Sequence, residues 1–407
     1  EDVIDQLSNS LVSRLCSIGE QVLWESFNNE RSPGMMLLAH LGNNGDGLGP
    51  PVRTGYETFI RKHRKDGLKF LIAEFPEFGR FIGTVVLLWL QSNSNMLNRI
   101  QQDREMLGRV FSIPNCHQLQ AIQQGLSDPH RGGQAVTVLE FSSDNDSTRK
   151  VVYKPKDMAV DVAYQSVLKD LNENSDSVPL RQLAILAMDG YGYMEYVPHR
   201  FACNDLELEQ FYVNAGRLSA VLHILGCTDC HHENLIACGD QLLLIDTETL
   251  LEAEVPDHIN NQSKVPTTEL SDIQKRFQQS VLRSGLLPQW MFMGRSKLAI
   301  DISAFGMEVP SKKTQNIPGW LGLNSDGMMM GRVEKVAEVP TSLPVGIGIN
   351  NPFQRFLEVF CQGFEQQCHA LIKRRDNWLT SDGVLSRFQG LRRRIVLRAT
   401  RVYFLIQ

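Results

Sequence analysis

A chain of 407 residues with 42% apolar residues has the composition of an ordinary folded protein, neither disordered nor fibrous, and is long enough for two or three domains. Its 41 Lys+Arg against 46 Asp+Glu leave a net charge of -5. That balance argues against a surface built to coat nucleic acid or anionic membrane, so neither partner is expected. Residues 1 to about 118 predict a helical N-terminal cap. Leu7, Leu11 and Leu15, and then Phe70, Leu71, Phe75, Phe78, Phe81, Ile82 and Val85, recur at three and four, and Leu97, Ile100, Leu107 and Val110 continue the pattern. The longest apolar stretch, Phe81 to Leu90, covers about half of the roughly 20 residues that cross a bilayer. It predicts a buried helix and no transmembrane segment. Between the helices, His40 to Pro51 is too rich in Gly and Pro for regular structure.

The period changes after residue 130. Ala135 to Phe141 and Lys150 to Lys154 are β-branched runs around a polar turn sequence, which is hairpin chemistry. A helix is expected from about Met158 to Leu171, and short strands at Leu183 to Met188 and Tyr193 to Val197. Asn204 with Glu207 makes a capping box for a helix whose buried face is Leu208, Phe211, Tyr212, Ala215, Leu218, Val221, Leu222 and Leu225. Gly226 ends it. A polar loop, Cys227 to Asn234, and a strand, Leu242 to Ile245, follow. The tail returns to helix through Phe353, Leu357, Phe360, Phe364 and Leu371, then closes in a β-like run from Arg394 to Phe404.

Eight cysteines are too sparse and irregular for a disulfide framework, and nothing at the start resembles a secretory signal. A reducing cytoplasm is the expected location. The chain opens at Glu1 without an initiator Met and reads as a piece of a longer protein.

The chemistry concentrates in Thr228-Asp229-Cys230-His231-His232-Glu233-Asn234 and in Ile245-Asp246-Thr247-Glu248. A loop offering Asp, His and Asn, followed by a hairpin whose second strand ends in another Asp, suits phosphoryl transfer. Asp229 or His231 can sit beside the attacking hydroxyl, while Asn234 and Asp246 supply hard oxygens for Mg²⁺ on ATP phosphates. Lys154 ends a strand in Tyr153-Lys154-Pro155-Lys156, where it can reach those phosphates. Met194, Glu195 and Val197, on the strand between the two halves, fit a segment whose backbone bonds adenine. No Gly-x-x-x-x-Gly-Lys-[Ser/Thr] occurs, which excludes a Walker-type site.

Cys227-x-x-Cys230-His231-His232 also has the form of a zinc half-site or a redox pair. A structural zinc needs further ligands at comparable spacing, and only Cys238 lies near. A thioredoxin-like motif follows a strand and opens a helix, whereas this one follows a helix.

Taken together, Gly226 to Ala237, Leu244 to Leu250, Tyr153-Lys154-Pro155-Lys156, Ser127-Asp128-Pro129-His130 and Arg394 to Thr400 resemble the dehydratase domain of class II lanthipeptide synthetases (LanM). The resemblance runs from about Asp128 to Leu250 and again over the last fifteen residues. It implies an α+β fold with a lipid-kinase-like two-lobed core. A helical cap would span 1–118, an N-lobe 119–200, and a C-lobe 201–407 with the catalytic loop, helical additions after residue 260 and a terminal elimination strand. It also implies an enzyme that uses ATP and Mg²⁺ to phosphorylate Ser and Thr of a ribosomal precursor peptide, made of leader and core. The same domain then eliminates phosphate to leave dehydroalanine or dehydrobutyrine.

By that resemblance Lys154, Asp229, His231, Asn234, Asp246 and Glu248 serve phosphorylation, and Asp128, His130, Arg394 and Thr400 serve elimination. Elimination needs a base for a weakly acidic α-proton and cationic groups on the departing phosphate, which a guanidinium matches well. If the last segment is a strand, Arg394, Val396, Arg398 and Thr400 share one face; the bland alternative is a solvated basic edge. The family usually has Arg where Lys156 stands, a change that keeps charge and loses the bidentate fork. The zinc-binding cyclase half of the full family does not follow Gln407, so the expectation is a chain that dehydrates without cyclising unless a C-terminal or separate cyclase domain supplies that step. Two rival functions are a lipid, small-molecule or protein kinase that stops at the phosphorylated product, and a non-catalytic ATP- or peptide-binding module. The first has no need of the elimination set, and the second has no need of all of Lys154, Asp229, Asn234 and Asp246.

Overall fold

A computed structural model of the chain describes residues 2–35, 37, 52–114, 117–127, 132–142, 148–173, 177–251, 276–277, 279–292 and 299–392. The chain divides into two compact units, the first 1–155 with 314–337, the second 156–313 with 338–407.

The first unit is mixed helix and sheet. Its helices are α1 (Val3–Glu30), α2 (Thr54–Asp66), α3 (Lys69–Glu74), α4 (Pro76–Gln102) and α5 (Arg104–Phe111), and all but α2 carry the expected apolar spacing. Local chemistry sets their ends. Pro76 opens α4, where its missing N–H costs nothing. Gly67, at φ 58°, takes the left-handed turn that ends α2 behind His63, Arg64 and Lys65. The apolar run from Phe81 to Leu90 is helical, as its pattern predicts, but it is amphipathic rather than buried: Val85 is 4% exposed while Leu87 is 68% exposed. Its hydrophobicity exceeds what one packed face of the helix can cover.

Strands β1 (Gln118–Gln123), β2 (Thr137–Ser142) and β3 (Thr148–Lys154) form an antiparallel meander. β2 and β3 are the expected hairpin. β1 was not foreseen; it is bulged between Leu119 and Ala121, and its Ile122 N–H bonds the Gln6 side chain of α1. A second hairpin, β10 (Thr314–Leu321) and β11 (Met329–Val336), returns to this unit from far along the chain. Its turn holds two helices. Asp326 caps the start of α2 by accepting the N–H groups of Gly55 and Tyr56 at 3.1 and 2.7 Å. Trp320 packs on Trp24 of α1, with ring centroids 4.8 Å apart. The Arg31 guanidinium lies over Trp24 and Phe27 and donates to Met328 O.

The second unit is built on α6 (Ala159–Glu173), α7 (Asp205–Ile224) and α8 (Leu357–Trp378), with the hairpins β4–β5 (Ile185–Met188, Tyr191–Glu195), β6–β7 (Leu235–Cys238, Gln241–Leu244) and β8–β9 (Met291–Phe292, Ala299–Ile300). The Asp189-Gly190 turn between β4 and β5, with Gly190 at φ 76°, is the two-residue turn chemistry that closes hairpins. Asn204 caps α7 by accepting the Glu207 N–H, while the Glu207 carboxylate reaches one residue further back than a capping box requires, to the Cys203 N–H.

Helix α7 is buried on nearly every side, from Phe211 and Tyr212 to Leu222. It crosses α8 at two small residues. A Cβ on Gly216 would lie 2.0 Å from Phe360 O, and one on Gly363 would lie 2.1 Å from Val213 O, so only glycines allow this approach. Phe305, Phe353 and Phe356 close around Tyr212, and Phe360 packs on Phe305 and Phe353 to complete the core.

Candidate active site

The loop after α7 is fixed from several sides. Gly226, at φ 60°, turns the chain out of the helix, and Cys227 N–H bonds back to Leu222 O. Cys230 N–H donates to Ser284 O at 2.7 Å, and both the backbone and the ring of His232 contact Ile302 O. Thr341 Oγ1 donates to His232 O and Leu235 O, closing the far end. This bracing presents Asp229, His231 and Asn234 together.

The three side chains touch. Asn234 Nδ2 lies 2.9 Å from Asp229 O, 3.2 Å from Asp229 Oδ2 and 3.2 Å from His231 Nε2. His231 Nε2 is 3.5 Å from Asp229 Oδ1. The Asp229 side chain keeps 55% of its surface open, enough to meet an incoming hydroxyl. Loss of hydration raises its pKa above the ordinary aspartate value, and the charges of Asp246 and Glu248 push the same way against His231 and Asn234.

The strand end is tied to the loop by backbone, through Ile245 N–H to Asn234 O at 3.0 Å. Asp246 then turns back on itself, its Oδ1 accepting the Glu248 N–H. The same oxygen accepts Lys156 Nζ at 2.7 Å, and Lys156 lies 3.7 Å from Glu248 Oε1 and 3.9 Å from Asp161 Oδ2. Burial alone disfavours the Lys156 ammonium, but the three carboxylates outweigh it and hold its pKa above the ordinary lysine value.

Lys156 and Asp161 are the residues of this cluster to which the sequence reading gave no role. A signal for Asp161 exists in the sequence. It sits at helical spacing in the same stripe as Tyr164, Leu168 and Leu171, and a carboxylate in an apolar stripe asks for a partner.

The other predicted residues fall as follows. Lys154 is the last residue of β3, in the first unit, and is buried there. Met194 and Glu195 lie on β5 of the second unit, and Val197 is buried just beyond it. Glu195 spends its N–H on Ala184 O and its carboxylate on Arg181 and the Ala184 N–H. Asp128, His130, Arg394 and Thr400 lie outside the described residues. In the Cys-x-x-Cys motif, Cys227 and Cys230 contact each other, while Cys238 accepts from Arg181 at 3.3 Å. Among the described residues no group of three or more His, Cys, Asp or Glu side chains could hold a metal ion, and no helix is long and apolar enough to cross a membrane.

The helix, the braced Asp-x-His-x-x-Asn loop and the hairpin that leads to Asp246 and Glu248 all lie within the stretch that matches a known family. Residues 75–407 match the family described as a domain of unknown function, DUF4135, and the chain belongs to that family. It is also similar to the lacticin 481/lactococcin biosynthesis protein LcnDR2 of Lactococcus lactis subsp. lactis, with 24% identity over 253 residues, 59% of this chain and 26% of that protein. The chain therefore spans about a quarter of that relative's length.

Proposed function

We propose that the chain is a lanthipeptide dehydratase, a peptide Ser/Thr kinase and phosphate lyase in one. It phosphorylates Ser and Thr of a leader-bearing precursor peptide with ATP and Mg²⁺, then eliminates the phosphate to give dehydroalanine or dehydrobutyrine. The observation that carries the first step is the meeting of Asp229, His231 and Asn234 with the Asp246 segment. The similarity to a lacticin 481 biosynthesis protein points the substrate class toward a lantibiotic precursor.

The donor set suits the proposed cofactors. Mg²⁺ on nucleotide phosphates takes one or two carboxylates and completes its shell from phosphate and water, so it needs no all-protein cage. Asn234 commits its amide nitrogen to Asp229 and His231, which leaves its carbonyl oxygen as a hard donor, and its backbone carbonyl joins the strand end that carries Asp246. When bound, Mg·ATP supplies the transferable phosphoryl group and the charge that neutralises it. The chain's own groups do the rest. The Asp229–His231 pair receives the proton of the substrate hydroxyl, and Asn234 fixes both members of that pair in place. Lys156 keeps the Asp246, Glu248 and Asp161 carboxylates from repelling one another.

The second step rests on the resemblance of the segments around Asp128 and His130 and from Arg394 to Thr400. The α-proton passes to a base among Asp128 and His130, the C–O bond breaks, and Arg394 with Thr400 receives the departing phosphate.

The test is incubation of the protein with ATP, Mg²⁺ and a precursor peptide bearing Ser and Thr in its core. ADP and phosphate should appear in step with loss of water from the peptide. An unchanged peptide with no ADP would refute the reading, and a peptide that only gains phosphate would favour a kinase without elimination.

A further inference from the structure

Two side chains of the Asp229 loop take no part in the chemistry above. Cys227 and Cys230 are buried, 2% and 0% exposed, and the Cys230 S–H donates to the Cys227 sulfur across 3.1 Å. The other described cysteines have different surroundings. Cys16, Cys203 and Cys361 are exposed, Cys368 is half-buried and Cys238 is bonded to Arg181.

The two thiols are chemically unequal. The hydrogen bond from Cys230 draws the Cys227 thiol below the ordinary cysteine value against the effect of burial, and Thr249 Oγ1, 3.4 Å away, adds to it. The same bond, with burial, pushes Cys230 well above. An acidified thiol in contact with a second thiol is the arrangement from which reversible disulfides form.

The backbone between them belongs to the site. Cys227 N–H is anchored on Leu222 O and Cys230 N–H on Ser284 O, and Asp229 lies between these anchors. Sulfurs 3.1 Å apart must approach by about 1 Å to reach disulfide length. A catalytic group misplaced by about 1 Å commonly costs on the order of a hundredfold in rate.

We propose that Cys227 and Cys230 form a reversible disulfide on exposure to peroxide, and that the closed bond shifts Asp229 and switches the site off. The regulatory half rests on the phosphoryl-transfer reading, whereas formation of the disulfide does not. The Cys227 sulfur attacks hydrogen peroxide; an S–O bond forms, the O–O bond breaks, and hydroxide leaves with the Cys227 proton as water. The Cys230 sulfur then attacks the resulting sulfenic acid; the S–S bond forms, the S–O bond breaks, and a second water leaves with the Cys230 proton. Two thiols lose two electrons, and one peroxide is reduced to two waters. Burial of both sulfurs makes so small an oxidant the relevant class.

The experiment is peptide mass spectrometry of the intact chain after hydrogen peroxide and alkylation of the remaining thiols, with precursor modification assayed on the same samples. The peptide holding residues 227–230 should lose two hydrogens and escape alkylation, and dithiothreitol should restore both thiols. Modification of the precursor should fall at least tenfold and recover with the reductant, and Cys230→Ser should resist the treatment. Alkylation of both cysteines after peroxide would overturn the pair. A disulfide that leaves activity unchanged would overturn the switch. A disulfide in a protein that never modifies precursor supports the pair and defeats the dehydratase reading. The mapping uses the unaltered protein, so a poorly folding variant does not remove the test.

Discussion

Lys156 is the residue on which the site's charge balance turns. It faces Asp161, which is 1% exposed, as well as Asp246 and Glu248. Lys156→Met removes the ammonium that faces these three carboxylates. A loss of about 2 kcal/mol is expected in urea unfolding, less than for a fully buried pair because Asp246 keeps 36% of its side chain open. Adding Asp161→Asn should recover part of that loss, and a double-mutant cycle reads the coupling. The sign with pH follows from the raised Lys156 pKa. Its contribution is fully present below the unfolded lysine value of about 10.4 and is lost only as pH rises through the higher folded value. The wild type should therefore keep this advantage over the Met variant across the neutral range. Asp229 shifts upward as well, with the opposite consequence for its charge. Its raised pKa means that its charged form is disfavoured in the fold, so stability is lost as pH rises through that value, and the acid limb of the kcat/KM profile should lie above the ordinary aspartate pKa of about 3.9. An acid limb at or below the ordinary value would separate Asp229 from the proton transfer. At this scale much was legible: Asp229, His231 and Asn234 stand in one linear motif and their contact needs only a loop, which the Ile245 N–H ties to the strand end before Asp246. The partner of Asp246 was not legible, because Lys156 and Asp246 are 90 residues apart and join through tertiary packing alone.

Among the elements, the crossing of α7 and α8 carries the second unit's core. Gly216→Ala and Gly363→Ala each drive a methyl into a backbone carbonyl of the facing helix, which cannot yield as a side chain can. Each should cost about 3 kcal/mol and lower the Tm of the second unit's transition. Unchanged melting would mean that the helices can separate without loss. In the first unit, Asp326→Ala removes the cap of α2 and should cost about 1 kcal/mol, read in denaturant. The buried face of α7 was readable from its cap and period, but nothing in the sequence marks Gly216 and Gly363 as partners. Strand β1, Gln-Leu-Gln-Ala-Ile-Gln, is short and half polar, and its bulge blurs the alternation. Strand β10 contains Pro318 and Gly319, which ordinarily demote a strand; in its register Gly319 faces Gly331.

For the whole molecule, the chain enters the first unit twice, once through 155 and again over 314–337, so order along the sequence does not give membership of a unit. A linear reading assigns contiguous stretches and has no means to foresee a hairpin that rejoins a unit after more than 150 intervening residues. The proposed function likewise involves the whole chain, in which one set of side chains would install a leaving group and another would expel it. Asp246→Asn should abolish both phosphate addition and water loss while leaving the circular dichroism spectrum unchanged. The most direct measurement is mass spectrometry of a Ser- and Thr-containing precursor peptide after incubation with ATP, Mg²⁺ and the Arg394→Met protein. The peptide should gain phosphate and keep it, whereas the unaltered protein yields a peptide that has lost water. Full dehydration by the Arg394→Met protein, or a peptide that neither protein alters, would contradict the two-step assignment.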